Sequence, residues 1–278
     1  MANFLTGKSI VITGAGGGFG KLVSEKAAAL GANIICGDID LAAATAVAKT
    51  IRDQGGSAIS VEVDVCEAEQ MRALAQAAIE ANGAIDVMIN NAGTMPLAFV
   101  ADHAEALEAW NRCIDINLKG TMNGCVAVYD QMIAQGHGHI INLSSIYGNA
   151  PVAGASVYGA TKAAVNYYSE ALRVESRGKI KVSIVKPTGV PTTGLAGTVI
   201  NPAASIGITG QNATQFVEMI GQMKDGSFPA ELLDDQNISY ASLAPEHIAN
   251  AILHVMDQPW GVSIGDITVR AAGDHFII

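Results

Sequence analysis

The sequence predicts an α/β protein on a parallel sheet, and three features of the 278-residue chain carry that prediction. Short apolar runs alternate with longer helical stretches from residue 8 to residue 186, the pattern of parallel strands joined by right-handed crossover helices. The first run leads into the glycine-rich stretch Thr13-Gly14-Ala15-Gly16-Gly17-Gly18-Phe19-Gly20, and a helical stretch at 21–30 follows. The second run ends on an acid, Asp38. In such sheets ligands sit at the carboxyl ends of the strands.

The first strand is expected at 8–13 (KSIVIT). A glycine-rich turn between strand and helix lets the backbone approach a pyrophosphate, and the helix start offers N–H donors to it. Gly14, Gly18, Phe19 and Gly20 are the expected cradle. The second strand, 33–38, puts Asp38 where an acid accepts hydrogen bonds from the adenosine ribose hydroxyls. It would also repel a 2′-phosphate, and no Arg or Lys stands at Gly16, Gly17 or Ile39 to attract one. NAD is therefore favoured over NADP. The competing reading is that Asp38, with Asp40, caps the next helix. Helices at 41–54 and 67–82 and strands at 58–63 and 85–89 follow. Asp64 ends the third strand within reach of the adenine amino group, and Asn90-Asn91-Ala92-Gly93 follows the fourth. There the small residues let a loop pass close to a ligand or a neighbouring strand.

One long helix is expected at 105–135, with Asn117 in its middle. An Asn is mildly unfavourable there; its amide serves either a water-linked chain to Lys162 or a bond back to the helix. A strand at 139–143 leads into Ser144-Ser145, then come a helix at 158–176 and a strand at 179–186. Tyr158 and Lys162 stand four apart, which puts phenol and ammonium on one helix face. A free Tyr has a pKa of roughly 10. A nearby cation favours the phenolate and makes Tyr158 a usable general acid/base. Ser145 can bond the oxygen that gains or loses the proton. The set suits proton movement on a carbinol or carbonyl oxygen and needs no metal.

Half the residues are apolar, and the formal charge of −10 argues against nucleic acid or an anionic membrane as partner. No stretch approaches the roughly 20 apolar residues of a membrane span. The start of the chain runs straight into a strand without signal-peptide architecture, so a cytoplasmic location is expected. The four cysteines lack metal or redox spacing and read as buried hydrophobes. His137-Gly-His139 has no third ligand nearby, so no metal is expected. Residues 193–244 are irregular apart from a helix-like segment at 212–223, as active-site lids are. A capped helix at 245–256, a strand at 264–269 and an apolar end at 271–278 complete the chain. The end either folds back or reaches a neighbouring subunit.

With TGAGGGFG at 13–20, NNAG at 90–93 and YGATK at 158–162, the chain resembles the short-chain dehydrogenase/reductase family, in its TGxxxGxG/NNAG/YxxxK division. The resemblance covers nearly the whole chain. It implies one Rossmann-fold domain over 1–278, with a doubly wound seven-stranded parallel sheet and helices on both faces. Within it, 1–100 binds the dinucleotide, 101–192 is catalytic, 193–244 is the substrate lid, and 245–278 adds a helix and strand. The resemblance implies an Asn117-Ser145-Tyr158-Lys162 catalytic set. Around NAD it implies contacts from Asp64 and Val65 to adenine, from Asn90, Asn91, Ala92 and Gly93 near the ribose, from Tyr158 and Lys162, and from Ile39 beside Asp38. It further implies that Pro187, Val190 and Thr192 hold the nicotinamide carboxamide. The family's Pro-Gly pair stands here as Pro187-Thr188, with Gly189 one place later and an extra Pro191, a departure that concerns the loop's local shape.

The expected reaction moves a hydride between NAD(H) and a secondary alcohol or ketone. Ser145, Tyr147, Tyr158, Met95 and Leu195 would face the substrate, with Pro96, Ile146, Pro151 and Val152 completing a wall that carries no Arg or Lys. Such a wall suits a neutral, hydrophobic small molecule. The resemblance also implies a homotetramer or homodimer through the helices at 105–135 and 158–176. An NADPH-linked carbonyl reductase is the alternative, and a non-catalytic dinucleotide-binding regulator a further one.

Overall fold

In a computed structural model that describes residues 3–190 and 193–278, seven strands form one parallel sheet. They are β1 (Ser9–Thr13), β2 (Asn33–Asp38), β3 (Ser57–Glu62), β4 (Val87–Asn90), β5 (His139–Leu143), β6 (Lys181–Pro187) and β7 (Asp266–Val269). Their spatial order is β3-β2-β1-β4-β5-β6-β7. The chain winds outward from β1 to β3, then returns to the other side of β1 to lay down β4. The loops after β1 and β4 therefore diverge and open a crevice at the carboxyl edge. The fold is the expected Rossmann-like α/β arrangement.

Along β1 the side chains alternate between two cores. Ile10 and Ile12 face α1 (Gly18–Ala29), α2 (Leu41–Asp53) and α8 (Pro245–Met256), packing with Val23, Val47 and Ile252. Val11 faces α3 (Ala68–Asn82), α5 (Thr121–Gln135) and α6 (Ser156–Glu175), packing with Leu74, Val128 and Leu172. Strands covered on both sides have no polar face, which is why the sequence shows them as continuous apolar runs.

The helix expected at 105–135 is not regular. It is α4 (His103–Ile114), then a π-helical turn at Asp115–Gly120, then α5. At this turn Asn117 faces inward to a neighbouring loop, and Thr121 Oγ1 donates to the Asn117 carbonyl at 2.7 Å. Strand and helix ends elsewhere fall within three residues of expectation; α1 starts at Gly18 rather than 21.

The lid is more ordered than its composition suggested. It has 3₁₀ turns at Gly194–Thr198 and Pro202–Asn212, then α7 (Ala213–Asp225). Its first half is tied to the body by hydrogen bonds from Met95 N to Thr198 Oγ1 (2.8 Å), from Ile200 N to Leu97 O (3.1 Å) and from Asn201 Nδ2 to Asp102 Oδ2 (2.8 Å). The C-terminal tail folds back onto this lid, where Ile277 N donates to Ile208 O at 3.1 Å. Among the described residues, no helix is long and apolar enough to cross a membrane.

At the opposite, amino edge, His139 is 2 % exposed, and its Nε2 lies 2.8 Å from Ser183 Oγ. Ser183 donates to Ile264 O at 2.5 Å, so its oxygen accepts from a neutral His139 Nε2–H. This chain links β5, β6 and the approach to β7. Burial, with the Lys181 charge, pushes the imidazole down to about 3. The folded pKa is thus below the unfolded one, so folding stability falls as pH drops from about 6.5 toward 3. Replacing His139 with Gln should remove that dependence. Relative to H139Q, the wild type is expected to lose up to about 1.4 kcal/mol per pH unit across this window. Urea melts of both proteins at pH 7.5 and 4.5 measure it; parallel losses would contradict it.

Candidate active site

A cleft of about 750 Å³ opens at the carboxyl ends of the strands. Its glycine wall is the β1–α1 loop. Gly14 has φ +64° and Gly18 φ +50°, backbone that glycine adopts at no steric cost. A Cβ on Gly20 would lie 2.1 Å from Gly14 O. Gly20 therefore lets α1 press on the loop and does not itself line the cleft, unlike Gly14, Gly18 and Phe19. Gly17 caps α1 with no side-chain hydrogen bond to its first turn, so the donors there remain free for an anion.

Asp38 and Ile39 line the next part. Asp38 Oδ2 accepts from Gly16 N at 2.8 Å and Oδ1 from Asp40 N at 3.0 Å. It is Asp40 that caps α2, accepting from Ala43 N. A Cβ on Gly16 would meet Ala43 Cβ at 2.7 Å and Asp38 Oδ2 at 3.0 Å, so no cation fits there without a shift. Asp64 and Val65 also line the cleft. Asp64 Oδ1 accepts from Cys66 N at 2.9 Å, and Val65 O accepts from Asn123 Nδ2 at 2.9 Å. Arg112 of α4 lines the cleft as well, a cation that no motif in the sequence points to.

Asn91, Ala92 and Gly93 reach the cleft, and Asn90 does not. Asn90 instead points into the core, where it donates to Asn142 Oδ1 at 2.8 Å. Asn91 Nδ2 donates to Thr13 O (2.9 Å) and Gly14 O (3.1 Å), which fastens this loop to the glycine loop. Asn117 pairs with the backbone of Thr94: its Nδ2 donates to Thr94 O and its Oδ1 accepts from Thr94 N, both at 2.9 Å. The amide also reaches Thr161 Oγ1 at 3.2 Å. The amide also lies 3.2 Å from Cys113 Sγ, four residues earlier in α4, so a bond back onto its helix accompanies the pairing with Thr94. A Cβ on Gly93 would lie 3.2 Å from Asn117 Oδ1 and 3.8 Å from Lys162 Nζ, so the glycine keeps that gap open.

Ser144, Ser145, Tyr158 and Lys162 meet where β5 ends and α6 begins. Ser144 Oγ donates to Lys162 O at 3.1 Å, so its hydroxyl is engaged in holding α6. Ser145 faces the cleft and accepts from Tyr147 N at 3.3 Å. Tyr158 is 3 % exposed, with the Tyr147 ring edge-on at 5.5 Å. Burial pushes the Tyr158 phenol above its ordinary value, and a hydrogen bond with Ser145 pulls the other way. Lys162 Nζ donates to Leu143 O at 2.8 Å and lies 5.8 Å from the Tyr158 ring centre. Burial pushes this ammonium down to about 8. Each group is thus costly to ionise alone, and each would be helped by the opposite charge on the other.

Beyond these groups the cleft is mostly apolar, with Thr193, Ser205 and Ser242 among its lining. Met95, Tyr147 and Leu195 line it as expected, joined by Leu97, Ile208, Phe216, Met219 and Phe276. Pro96, Ile146, Pro151 and Val152 do not. Pro96 O accepts from Trp110 Nε1, Ile146 is buried, Pro151 is exposed, and Val152 packs beside Ala155 and Ala204. Pro187 and Val190 line the cleft as well, whereas Thr192 lies outside the described residues. Lys186 pairs with Asp266, and neither it nor Lys224 lines the cleft.

A family profile described as short chain dehydrogenase matches residues 8–201. An uncharacterised oxidoreductase of Listeria monocytogenes is 32% identical over 262 residues, 94% of this chain and 95% of that protein. A 2,5-dichloro-2,5-cyclohexadiene-1,4-diol dehydrogenase of Sphingobium indicum is 36% identical over 195 residues, 69% of this chain and 76% of that protein. Two solved short-chain oxidoreductases superpose at 26% identity. One, from Burkholderia phymatum with NAD, has TM-score 0.75 and covers 96% of this chain and 90% of its own. The other, metagenomic and with NADP, has TM-score 0.72 and covers 97% and 99%.

The Asn117–Thr94 pairing makes a prediction about the loop between Gly93 and Met95. An Asn117→Ala change removes both bonds, taking the partner of the part-buried Thr94 N and leaving Thr94 O with only the weak Cys113 Sγ donor at 3.8 Å. It is expected to lower stability by about 2 kcal/mol and to speed amide exchange at Thr94. Urea melts and hydrogen-exchange mass spectrometry check both; unchanged exchange at Thr94 would contradict the pairing.

Proposed function

Because the chain belongs to the short-chain dehydrogenase/reductase family, oxidoreductases with an NAD(P)-binding Rossmann-like fold, we propose that it transfers a hydride between NAD(H) and a neutral, hydrophobic secondary alcohol or its ketone. The observation that carries this reading is the position of Ser145, Tyr158 and Lys162. They lie between a glycine-walled half of the cleft, fit for a dinucleotide, and an apolar half fit for the substrate. The fit to a dinucleotide rests on the uncapped start of α1 and on Gly17 and Gly18, where an added Cβ would meet nothing within 4 Å.

Gly14, Gly18 and Phe19 would hold the pyrophosphate, Asp38 the adenosine ribose, and Asp64 and Val65 the adenine. Asn91, Ala92, Gly93, Tyr158 and Lys162 would take the second ribose, with Pro187, Val190 and Thr192 at the carboxamide. When bound, the nicotinamide supplies the hydride acceptor or donor. The chain's own residues handle the proton. Ser145 and Tyr158 hold the substrate oxygen, and Tyr158 takes its proton during oxidation or returns it during reduction. The Lys162 charge favours the phenolate, and burial of both groups keeps water from weakening that attraction. Asn117 acts through Thr94, by fixing the loop that carries Gly93.

NAD is the preferred form in this reading, because the Asp38 carboxylate would face a 2′-phosphate. An NADPH-linked reductase is the second reading, and Arg112 at the cleft edge and the NADP-bound relative favour it. A homo-oligomer through α4, α5 and α6 is supported by exposed Leu107, Val126 and Tyr167. Four unpaired cysteines suit a reducing, cytoplasmic setting.

A Tyr158→Phe enzyme is expected to lose about 10³-fold in turnover of any active alcohol, while NADH binds within about threefold of wild type. Retention of most activity would remove Tyr158 from the mechanism. For the cofactor, the ratio of NAD⁺ to NADP⁺ efficiency should exceed one in the wild type and fall at least tenfold in D38A. A wild type that already prefers NADP⁺ would establish the second reading.

A further inference from the structure

The end of the chain is built into the cleft. Phe276 lines it, and the ring is seated against the loop after β6, where a Cβ on Gly189 would lie 2.4 Å from Phe276 Cζ. Any larger residue at 189 would push the ring away. On its other side the ring meets Phe216 of α7, with centroids 5.9 Å apart. The backbone around it is fastened from two directions. Arg270, just past β7, pairs with Asp274 and donates to Phe276 O at 2.6 Å. From the lid, Asn212 Nδ2 donates to His275 O at 3.1 Å, and Ile208 O accepts from Ile277 N at 3.1 Å. The tail thus joins the loop after β6, the lid and α7 at one aromatic ring. That ring shares the apolar half of the cleft with Ile208, Phe216 and Met219.

We propose that Phe276 is a specificity-determining residue, its ring walling the apolar half of the cleft and setting the largest substrate admitted, with Gly189 as its seat. The substrate part rests on the dehydrogenase reading; the seating of the ring does not. Removing the ring enlarges the pocket. Adding a methyl at Gly189 drives the ring inward or off its seat. Removing the ring in the presence of that methyl relieves the clash.

The test is a cycle of F276A, G189A and the double variant, with F276L as a smaller step. In F276A the ratio of kcat/KM for cyclododecanol to that for cyclohexanol is expected to rise at least tenfold, with F276L in between. The affinity of NAD⁺-loaded protein for the neutral fluorophore N-phenyl-1-naphthylamine should change at least fivefold in F276A. Hydrogen exchange across 208–223 should quicken in G189A and return toward the F276A level in the double variant. Size ratio and fluorophore affinity both within twofold of wild type in F276A would overturn the proposal, leaving Phe276 as packing only. Unchanged exchange in G189A would overturn the seat. If no alcohol turns over in the wild type but fluorophore affinity and exchange shift as expected, the ring's place in the pocket stands and the dehydrogenase reading fails.

Discussion

Thr13 pins the cleft together. Its hydroxyl accepts from Asn91 N and Ala92 N at 3.1 and 3.2 Å, while its carbonyl accepts from the Asn91 amide. The two loops so joined leave adjacent parallel strands in opposite directions, and nothing in the sheet ladder holds them once β1 and β4 end. A bridge of short polar groups does, and it does so with small residues only. Gly14 approaches Ala92 so closely that an added Cβ would lie 3.0 Å from Ala92 Cα. The spacing of the glycine wall, the placing of Gly93 and the gap beside Lys162 all follow from this join.

From there the polar chemistry is arranged by backbone groups more than by side chains. Lys162 is held by Leu143 O, α6 by the Ser144 hydroxyl, and Asn117 by both polar atoms of the Thr94 backbone. These partners are rigid and, once buried, cannot be exchanged for water without loss. Burial also sets the balance between Tyr158 and Lys162. In a dry site neither ionises readily alone, so proton movement there depends on charges placed nearby.

Much of this was legible in the sequence. Strands covered on both faces leave unbroken apolar runs, and a glycine-rich turn between strand and helix is a local feature, so Gly14, Asp38 and the pair Tyr158 and Lys162 could be placed by spacing. Asn117 was marked as odd for a helix interior, yet the π turn was not foreseen, because the groups that draw the Asn inward lie 23 residues away at Thr94. Asn90 and Asn91 are adjacent and chemically equal; only the strand pleat sends one into the core and the other to the cleft. Arg112 and Phe276 carry no motif. Of the expected wall residues, Pro96 is engaged by Trp110, Ile146 is buried and Val152 packs with Ala155 and Ala204, contacts that no local spacing announces.

The stitching of the lid has a consequence for traffic. Its first half is sewn down by hydrogen bonds at Thr198, Ile200 and Asn201, and Gly207 packs so tightly on the neighbouring loop that a Cβ there would lie 2.1 Å from Ala153 O. That half cannot lift without breaking these part-buried pairs, and the tail, which donates to Ile208 O, would have to move with it. Residues that line the apolar part of the cleft and residues that tie the lid down then fall in the same segment. A change of a lining residue in this segment would therefore alter the shape of the cleft and the fastening of its cover together, while Ser145, Tyr158 and Lys162 stayed as they are.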